Sequence, residues 1–139
     1  MKRASALFLG MAAVFLLGCG SASPVSAGGT VTYKGAPVAN ARIGFIPKTV
    51  DGAAKGEMAS GETDAEGKFT VTTKSPGDGA VPGEYTVTVA PNAAEATEND
   101  YSLPPPPPYP GHYSDPGTSS LKVTVKRGDE NQFPLEMKD

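Results

Sequence analysis

The chain has 139 residues, and its 12 Lys and Arg against 15 Asp and Glu give a formal net charge of −3. Nucleic-acid binding needs clustered basic residues, and the densest basic group is only Lys122, Lys126 and Arg127. We therefore expect no nucleic-acid partner, and we expect Lys122 and Lys126 on the solvent face of a strand. The single cysteine excludes an intramolecular disulfide, so a hydrophobic core must hold the fold together.

The first 18 residues are organised like a secretory signal. Basic Lys2 and Arg3 precede an apolar stretch over residues 6–17, and the small residue Gly18 stands before the cleavage point. Residues 16–19, LLGC, resemble the cleavage motif of bacterial lipoproteins. The resemblance implies that a signal peptide of residues 1–18 forms a helix and is cut between Gly18 and Cys19, and that Cys19 carries a diacylglyceryl group and palmitate.

Two alternatives to lipidation are an uncleaved membrane helix and an ordinary buried cysteine. Residues 4–18 are shorter than the roughly 20 residues that a spanning helix needs. Residues 20–28 are small and show no apolar period that would bury Cys19. We interpret residues 19–28 as a flexible tether, with an r.m.s. reach of roughly 15 to 18 Å.

Residues 29–139 form the predicted folded domain, and their apolar residues alternate with a period of two. No window has the 3.6-residue period of an amphipathic helix, so the domain is predicted to be all-β. Seven strands are predicted, over residues 30–33, 42–45, 61–63, 68–72, 85–90, 121–126 and 132–137.

Turn residues refine this assignment. Asp64 and Gly67 suit a tight turn that would join the third and fourth predicted strands as a hairpin. Pro134 cannot donate to a strand ladder, which predicts an edge position for the last strand. Seven short strands, each with one apolar face, favour two antiparallel sheets packed as a Greek-key β-sandwich. A small closed barrel is the structural alternative.

A proline-rich segment interrupts the strand pattern at about residues 91–118. Consecutive prolines favour an extended polyproline II rod, and long loops often serve binding. The candidate partner-binding residues are Tyr101, Pro104, Pro105, Pro106, Pro107, Pro108, Tyr109 and Tyr113. The alternative is a stiff crossover from one sheet to the other, with its tyrosines packed over a sheet end.

Three segments carry a resemblance to a known family. Residues 29–41 read GTVTYKGAPVANA, residues 63–69 read TDAEGKF, and residues 81–89 read VPGEYTVTV. They resemble the carboxypeptidase regulatory-like, transthyretin-like (prealbumin-like) β-sandwich. Residues 113–125, YSDPGTSSLKVTV, are similar to the C-terminal half of small lipoproteins of planctomycete-like bacteria. These motifs are turn and strand signals, so the resemblance implies a fold and says little about activity.

Candidate chemistry is sparse in the sequence. His112, Ser114 and Asp115 are too close along the chain to be aimed at one another as a catalytic triad. The aspartates of loops, among them Asp64, Asp78 and Asp115, are expected to cap their own backbone rather than to bind calcium. We therefore expect no enzyme activity, no cofactor and no metal site.

The predicted function is that of a monomeric, lipid-anchored, extracytoplasmic protein in the cell membrane or outer membrane. Its β-sandwich would be a binding or assembly module for an envelope protein. A carbohydrate- or peptidoglycan-contacting module is the alternative, and it would use exposed tyrosines. A hydrolase is a third, more distant interpretation.

Overall fold

The computed structural model describes residues 22–50, 53–54, 56–92 and 106–139. The predicted signal helix and the lipidation site lie outside these residues. Ten strands are described, and a single 3-10 turn, Gly111–Ser114, follows the proline-rich segment. The strands are β1 Ala27–Tyr33, β2 Ala36–Pro37, β3 Ala41–Pro47, β4 Thr49–Val50, β5 Ala53–Ala54, β6 Ala59–Glu62, β7 Lys68–Thr70, β8 Gly83–Pro91, β9 Lys122–Val125 and β10 Asn131–Met137.

The strands form two four-stranded sheets and one small two-stranded ribbon of β4 and β5. In the first sheet β1 lies between β10 on one side and β2 and β7 on the other. The second sheet has the order β6, β3, β8, β9. This arrangement is consistent with an all-β sandwich, and each of the seven predicted strands corresponds to one of the longer strands.

The core lies between the two sheets. Phe45 of β3 is fully buried, and its ring centroid lies 6.1 Å from that of Phe69 in β7 and 6.1 Å from that of Phe133 in β10. The alternation in β8 buries Tyr85, Val87 and Val89, as predicted from the period of two. Every second residue of these strands therefore contributes to one shared core.

The pairing of β1 with β10 differs from the prediction, because these strands are parallel. Parallel neighbours cannot be joined by a tight turn, and here the rest of the domain forms the connection between them. β10 pairs only with β1, so the edge position inferred from Pro134 is confirmed. Pro134 can occupy this strand because its missing N–H can face away from the neighbour.

The hairpin predicted over residues 61–72 forms only in part. The turn itself forms, with Gly67 at φ +75° and the Gly67 N–H donating to the Asp64 carbonyl at 3.0 Å. Next to the turn the Asp64 N–H donates to the Lys68 carbonyl at 2.9 Å, and farther out Ser60 and Thr72 form an antiparallel bridge. Between these contacts the flanking strands belong to different sheets, because β6 pairs with β3 and β7 pairs with β1. The turn therefore connects the two sheets.

The predicted tether is partly inside the fold. Strand β1 begins at Ala27, whose side chain is fully buried. Before it, the Val25 N–H donates to the Ala80 carbonyl at 2.9 Å, and the Ala80 N–H donates back at 3.0 Å. The sequence pattern does not predict this pairing. Backbone groups make the hydrogen bonds, and the mostly small side chains of this segment show no apolar period.

The segment 91–118 is not a crossover between sheets, since β8 and β9 on either side of it pair directly in the second sheet. Its described part, residues 106–118, instead packs along the opening between the sheets. Tyr113 is buried, and its hydroxyl bonds the Lys138 carbonyl (3.0 Å) and N–H (2.9 Å) just after β10. The predicted packing of Tyr109 and Tyr113 against the sheets is therefore confirmed.

Candidate functional site

The strand registers define two ends of the sandwich. We call the end where the N-terminal segment joins the fold the entry end, and it contains Val25, the loop over residues 73–82 and the turn over residues 126–130. The far end contains residues 33–40 and residues 106–109. Strand β1 runs from the entry end to the far end, and its six steps from Ala27 to Tyr33 span about 20 Å.

A groove at the far end is the candidate functional site. It is formed where the strand β1 turns back into β2 and where the proline-rich segment re-enters the domain, and its volume is about 230 Å³. Its walls are mostly apolar. The lining residues are Tyr33, Ala36, Pro37, Val38, Ala39, Asn40, Pro91, Pro107, Pro108 and Tyr109.

One wall of the groove is shaped by a tight turn. Lys34 and Gly35 both have positive φ, +49° and +83°, and Tyr33 pairs with Ala36 across them. This is the two-residue turn that matches the twist of antiparallel strands. It places Ala36 and Pro37 on an exposed edge, while Val38 behind them is buried.

The opposite wall comes from the proline-rich segment. Tyr109 is 6% exposed, and burial raises the pKa of its hydroxyl. Pro107 is half-buried, whereas Pro106 and Pro108 are exposed. Tyr109 thus anchors this segment in the domain, while Pro107 and Pro108 line the groove and keep surface open to solvent.

An ionic cluster stands beside the groove. The Tyr33 hydroxyl donates to the Asp139 carboxylate, and Lys34 forms an ion pair with the same carboxylate. The bond from Lys34 holds the pKa of Asp139 below its ordinary value, and the bond to Asp139 raises the pKa of Lys34. The cluster is exposed to solvent, so its contribution to stability is small, but it fixes the Tyr33 ring at the rim.

The structure brings together only some of the predicted site residues. Pro107, Pro108 and Tyr109 line the groove, while Tyr113 is buried at 3% exposure. Gly18, Cys19, Tyr101, Pro104 and Pro105 lie outside the described residues. The two tyrosines are therefore not the exposed aromatic platforms that the glycan-binding alternative required.

The sequence pattern does not reveal the wall formed by residues 36–40 or the rim residues Tyr33 and Pro91. Tyr33 lies in the predicted strand over residues 30–33, and the alternation of that strand does not show that Tyr33 is partly exposed. The sequence does contain a signal for a turn at this wall, since Lys34 and Gly35 favour a turn and Pro37 lies two residues after Gly35. Nothing local could show that this turn lies beside residues 107–109.

The candidate chemical groups are engaged in local contacts. The His112 ring lies 4.1 Å from the Tyr113 ring, the Ser114 hydroxyl donates to the Gly111 carbonyl at 2.6 Å, and Asp115 accepts from the Gly117 N–H at 2.7 Å. Within the described ranges, no group of three His, Cys, Asp or Glu side chains could hold a metal ion. In the same ranges, no helix is long and apolar enough to cross a membrane.

The predicted backbone capping by loop aspartates is confirmed. Asp64 accepts from the Glu66 and Lys68 N–H groups, each at 2.9 Å. Asp78 accepts from Thr73 at 2.7 Å, Lys74 at 3.0 Å and Ser75 at 2.9 Å. These backbone donors hold the pKa of Asp78 below its ordinary value, with the bond from Ser75 the largest cause.

Comparison with known proteins gives no relative. No protein-family model matches the chain, and neither the curated proteins nor the solved structures contain a significant match.

Proposed function

We propose that the chain is a lipid-anchored cell-envelope protein whose β-sandwich acts as a binding or assembly module for a protein partner. The observation that carries this proposal is the apolar groove at the far end. Apart from Asn40, its lining residues are proline, tyrosine, alanine and valine, and grooves with aromatic and apolar walls bind extended peptide segments in other recognition domains. The lipoprotein-like motif at residues 16–19 supplies the anchor.

The sandwich is proposed to be of the seven-stranded, Greek-key, transthyretin-like type. Seven longer strands divided between two sheets support this proposal, as do the segments 29–41, 63–69 and 81–89 that resemble the family. The glycan-contacting alternative has less support, since Tyr109 and Tyr113 are buried.

The anchor is tested by Cys19→Ser. Because the thiol is the group that would be alkylated, the variant is expected in the soluble fraction, while the wild type stays with membranes in high salt and is released by detergent. Two or more acyl chains hold a protein firmly, at about 0.8 kcal/mol for each buried CH₂. Release of the wild type by salt alone would contradict the anchor.

The binding module is tested with a charge placed in the groove. Ala39 lines the groove and is exposed, so Ala39→Arg should block an apolar partner without unfolding the domain. Thr124→Arg, on the exposed face of β9, is the matched control. In cross-linking from native membranes, a protein captured by the wild type and by the control should be lost from the Ala39 variant. Capture by all three alike would exclude the groove.

A further inference from the structure

We propose that the entry end of the domain lies on the lipid surface, with Met58 in contact with the headgroup region, so that the groove points away from the membrane. This inference rests on the proposed lipid anchor at Cys19. It assigns an interaction surface at the opposite end of the molecule from the candidate site.

The chain between the proposed anchor and the fold is short. Val25 is fixed to Ala80 by two backbone hydrogen bonds, at 2.9 and 3.0 Å. From Cys19 to Val25 there are six residue steps, which span at most about 20–22 Å. The far end lies about 20 Å farther from the anchor along β1. The lipid therefore holds the entry end close to the membrane.

Side-chain hydrogen bonds reinforce the place where the N-terminal segment joins the fold. Asn131 is 4% exposed, and its amide donates to the carbonyls of Ser26 at 3.2 Å, Lys126 at 2.9 Å and Asp129 at 3.2 Å. The Arg127 guanidinium donates to the Ser23 carbonyl at 3.2 Å. The chain is thus tied to the turn over residues 126–130 before it leaves the domain, which shortens the free tether.

A hydrophobic side chain at the entry end supports the same orientation without reference to the tether. Among the described residues Met58 is the large hydrophobic residue that is exposed, with 61% of its surface accessible to solvent. It precedes β6, in which Ala59 pairs with Phe45 near the entry end of β3. The neighbouring Glu57 is joined to Lys74 of the entry loop by an ion pair of 2.9 Å. A flexible thioether side chain is well suited to a fluid lipid boundary.

Electrostatic attraction contributes little to this contact. Glu57 pairs with Lys74, Asp78 accepts from its own loop, and the turn carries both Lys126 and Arg127 and the acids Asp129 and Glu130. Because positively and negatively charged side chains occur in similar number at the entry end, the tether and Met58 set the orientation rather than the net charge. We therefore expect the contact to persist at high salt.

The test uses the lipidated protein on vesicles of phosphatidylcholine with a minor fraction of a lipid that carries a quencher at its headgroup. Since Cys19 is alkylated in this form, a single introduced cysteine can be labelled with a fluorophore. Ser75→Cys, in the exposed part of the entry loop, reports on the entry end and leaves Met58 in place, and Ala36→Cys reports on the exposed far end. Quenching at residue 75 should exceed quenching at residue 36 by more than about twofold, since the entry and far ends lie about 20 Å apart along β1.

The possible results distinguish a failure of the proposed anchor from a failure of the proposed orientation. Protein that does not float with the vesicles would contradict the proposed anchor. Protein that floats but is quenched equally at both positions, or more at residue 36, would overturn the orientation and leave the anchor intact. A ten-residue Gly-Ser insertion after Gly20 should reduce the difference between the positions, because the entry end could then leave the surface. An unchanged difference would show that the short tether does not set the orientation.

Discussion

At the scale of single residues, position on a strand decides how much a side chain matters. Val87 and Thr86 are neighbours in β8, yet Val87 is fully buried while Thr86 is partly exposed and accepts a hydrogen bond from Lys122 at 2.8 Å. The period of two places them on opposite faces of the sheet. The same polar substitution should therefore have very different effects at these adjacent positions.

Val87→Asp is expected to lower the free energy of unfolding by about 3–5 kcal/mol, because it leaves an unpaired charge in the core. Thr86→Asp places its carboxylate in solvent beside Lys122, and its effect should stay within about 1 kcal/mol. Denaturant unfolding of both variants measures the difference. Equal losses would mean that the register of β8 is wrong.

At the scale of elements, the loop that receives the N-terminal segment has a strict backbone requirement. Gly79 has φ +91°, and a Cβ on it would lie 1.8 Å from the Val25 carbonyl oxygen. Gly77 has φ +73° in the same loop, but a Cβ there would meet nothing within 4 Å. The two glycines share a positive φ that a residue with a side chain would adopt only with strain, and they differ in the space around them.

Gly77→Ala is expected to cost about 1–2 kcal/mol, the cost of a left-handed conformation in a residue with a side chain. Gly79→Ala should cost that amount and about 1–3 kcal/mol more, since the backbones of Val25 and Ala80 must separate. Thermal unfolding compares the two variants. Hydrogen exchange at Val25 should rise in the Gly79 variant alone, and equal exchange in both would contradict the close approach.

At the scale of the whole molecule, residues 106–118 pack between β8 of one sheet and the end of β10 in the other. Two tyrosine side chains of this segment are buried. Tyr113 packs against β8 and is hydrogen-bonded to Lys138, and Tyr109 is buried as well. The prolines before Tyr109 are more exposed. The tyrosines and the prolines should therefore contribute to stability by different mechanisms.

Replacement of residues 104–108 by a Gly-Ser sequence of equal length should leave the fold intact. It should cost about 0.4–1 kcal/mol for each proline, or about 2–5 kcal/mol over the five, mainly because the unfolded chain gains entropy. Tyr113→Ala should cost about 3–5 kcal/mol through the cavity that it leaves. Melting curves measure both losses, and Tyr113→Ala should cost more than the replacement of any single proline. If the Gly-Ser variant keeps its melting temperature and loses a bound partner, the prolines contribute contacts to that partner rather than stability.

The seven longer strands could be predicted from the sequence, because alternation of apolar residues is a local property that each of these segments carries. The sequence also determined the edge position of β10 through Pro134, and the turn at Gly67 through its need for positive φ. These features depend on one residue or on neighbours within a few positions. The lipoprotein-like motif at Cys19 is likewise a local pattern, and it stays a prediction.

Which strands pair could not be predicted from local sequence. The same turn at residues 64–67 can join two strands of one sheet or two strands of different sheets, and parallel pairing of β1 with β10 joins residues more than 100 positions apart. The groove has the same origin, since the packing of the whole domain brings residues 36–40 and 107–109 together. Burial of the shared core selects these pairings, and that burial is a property of the whole chain.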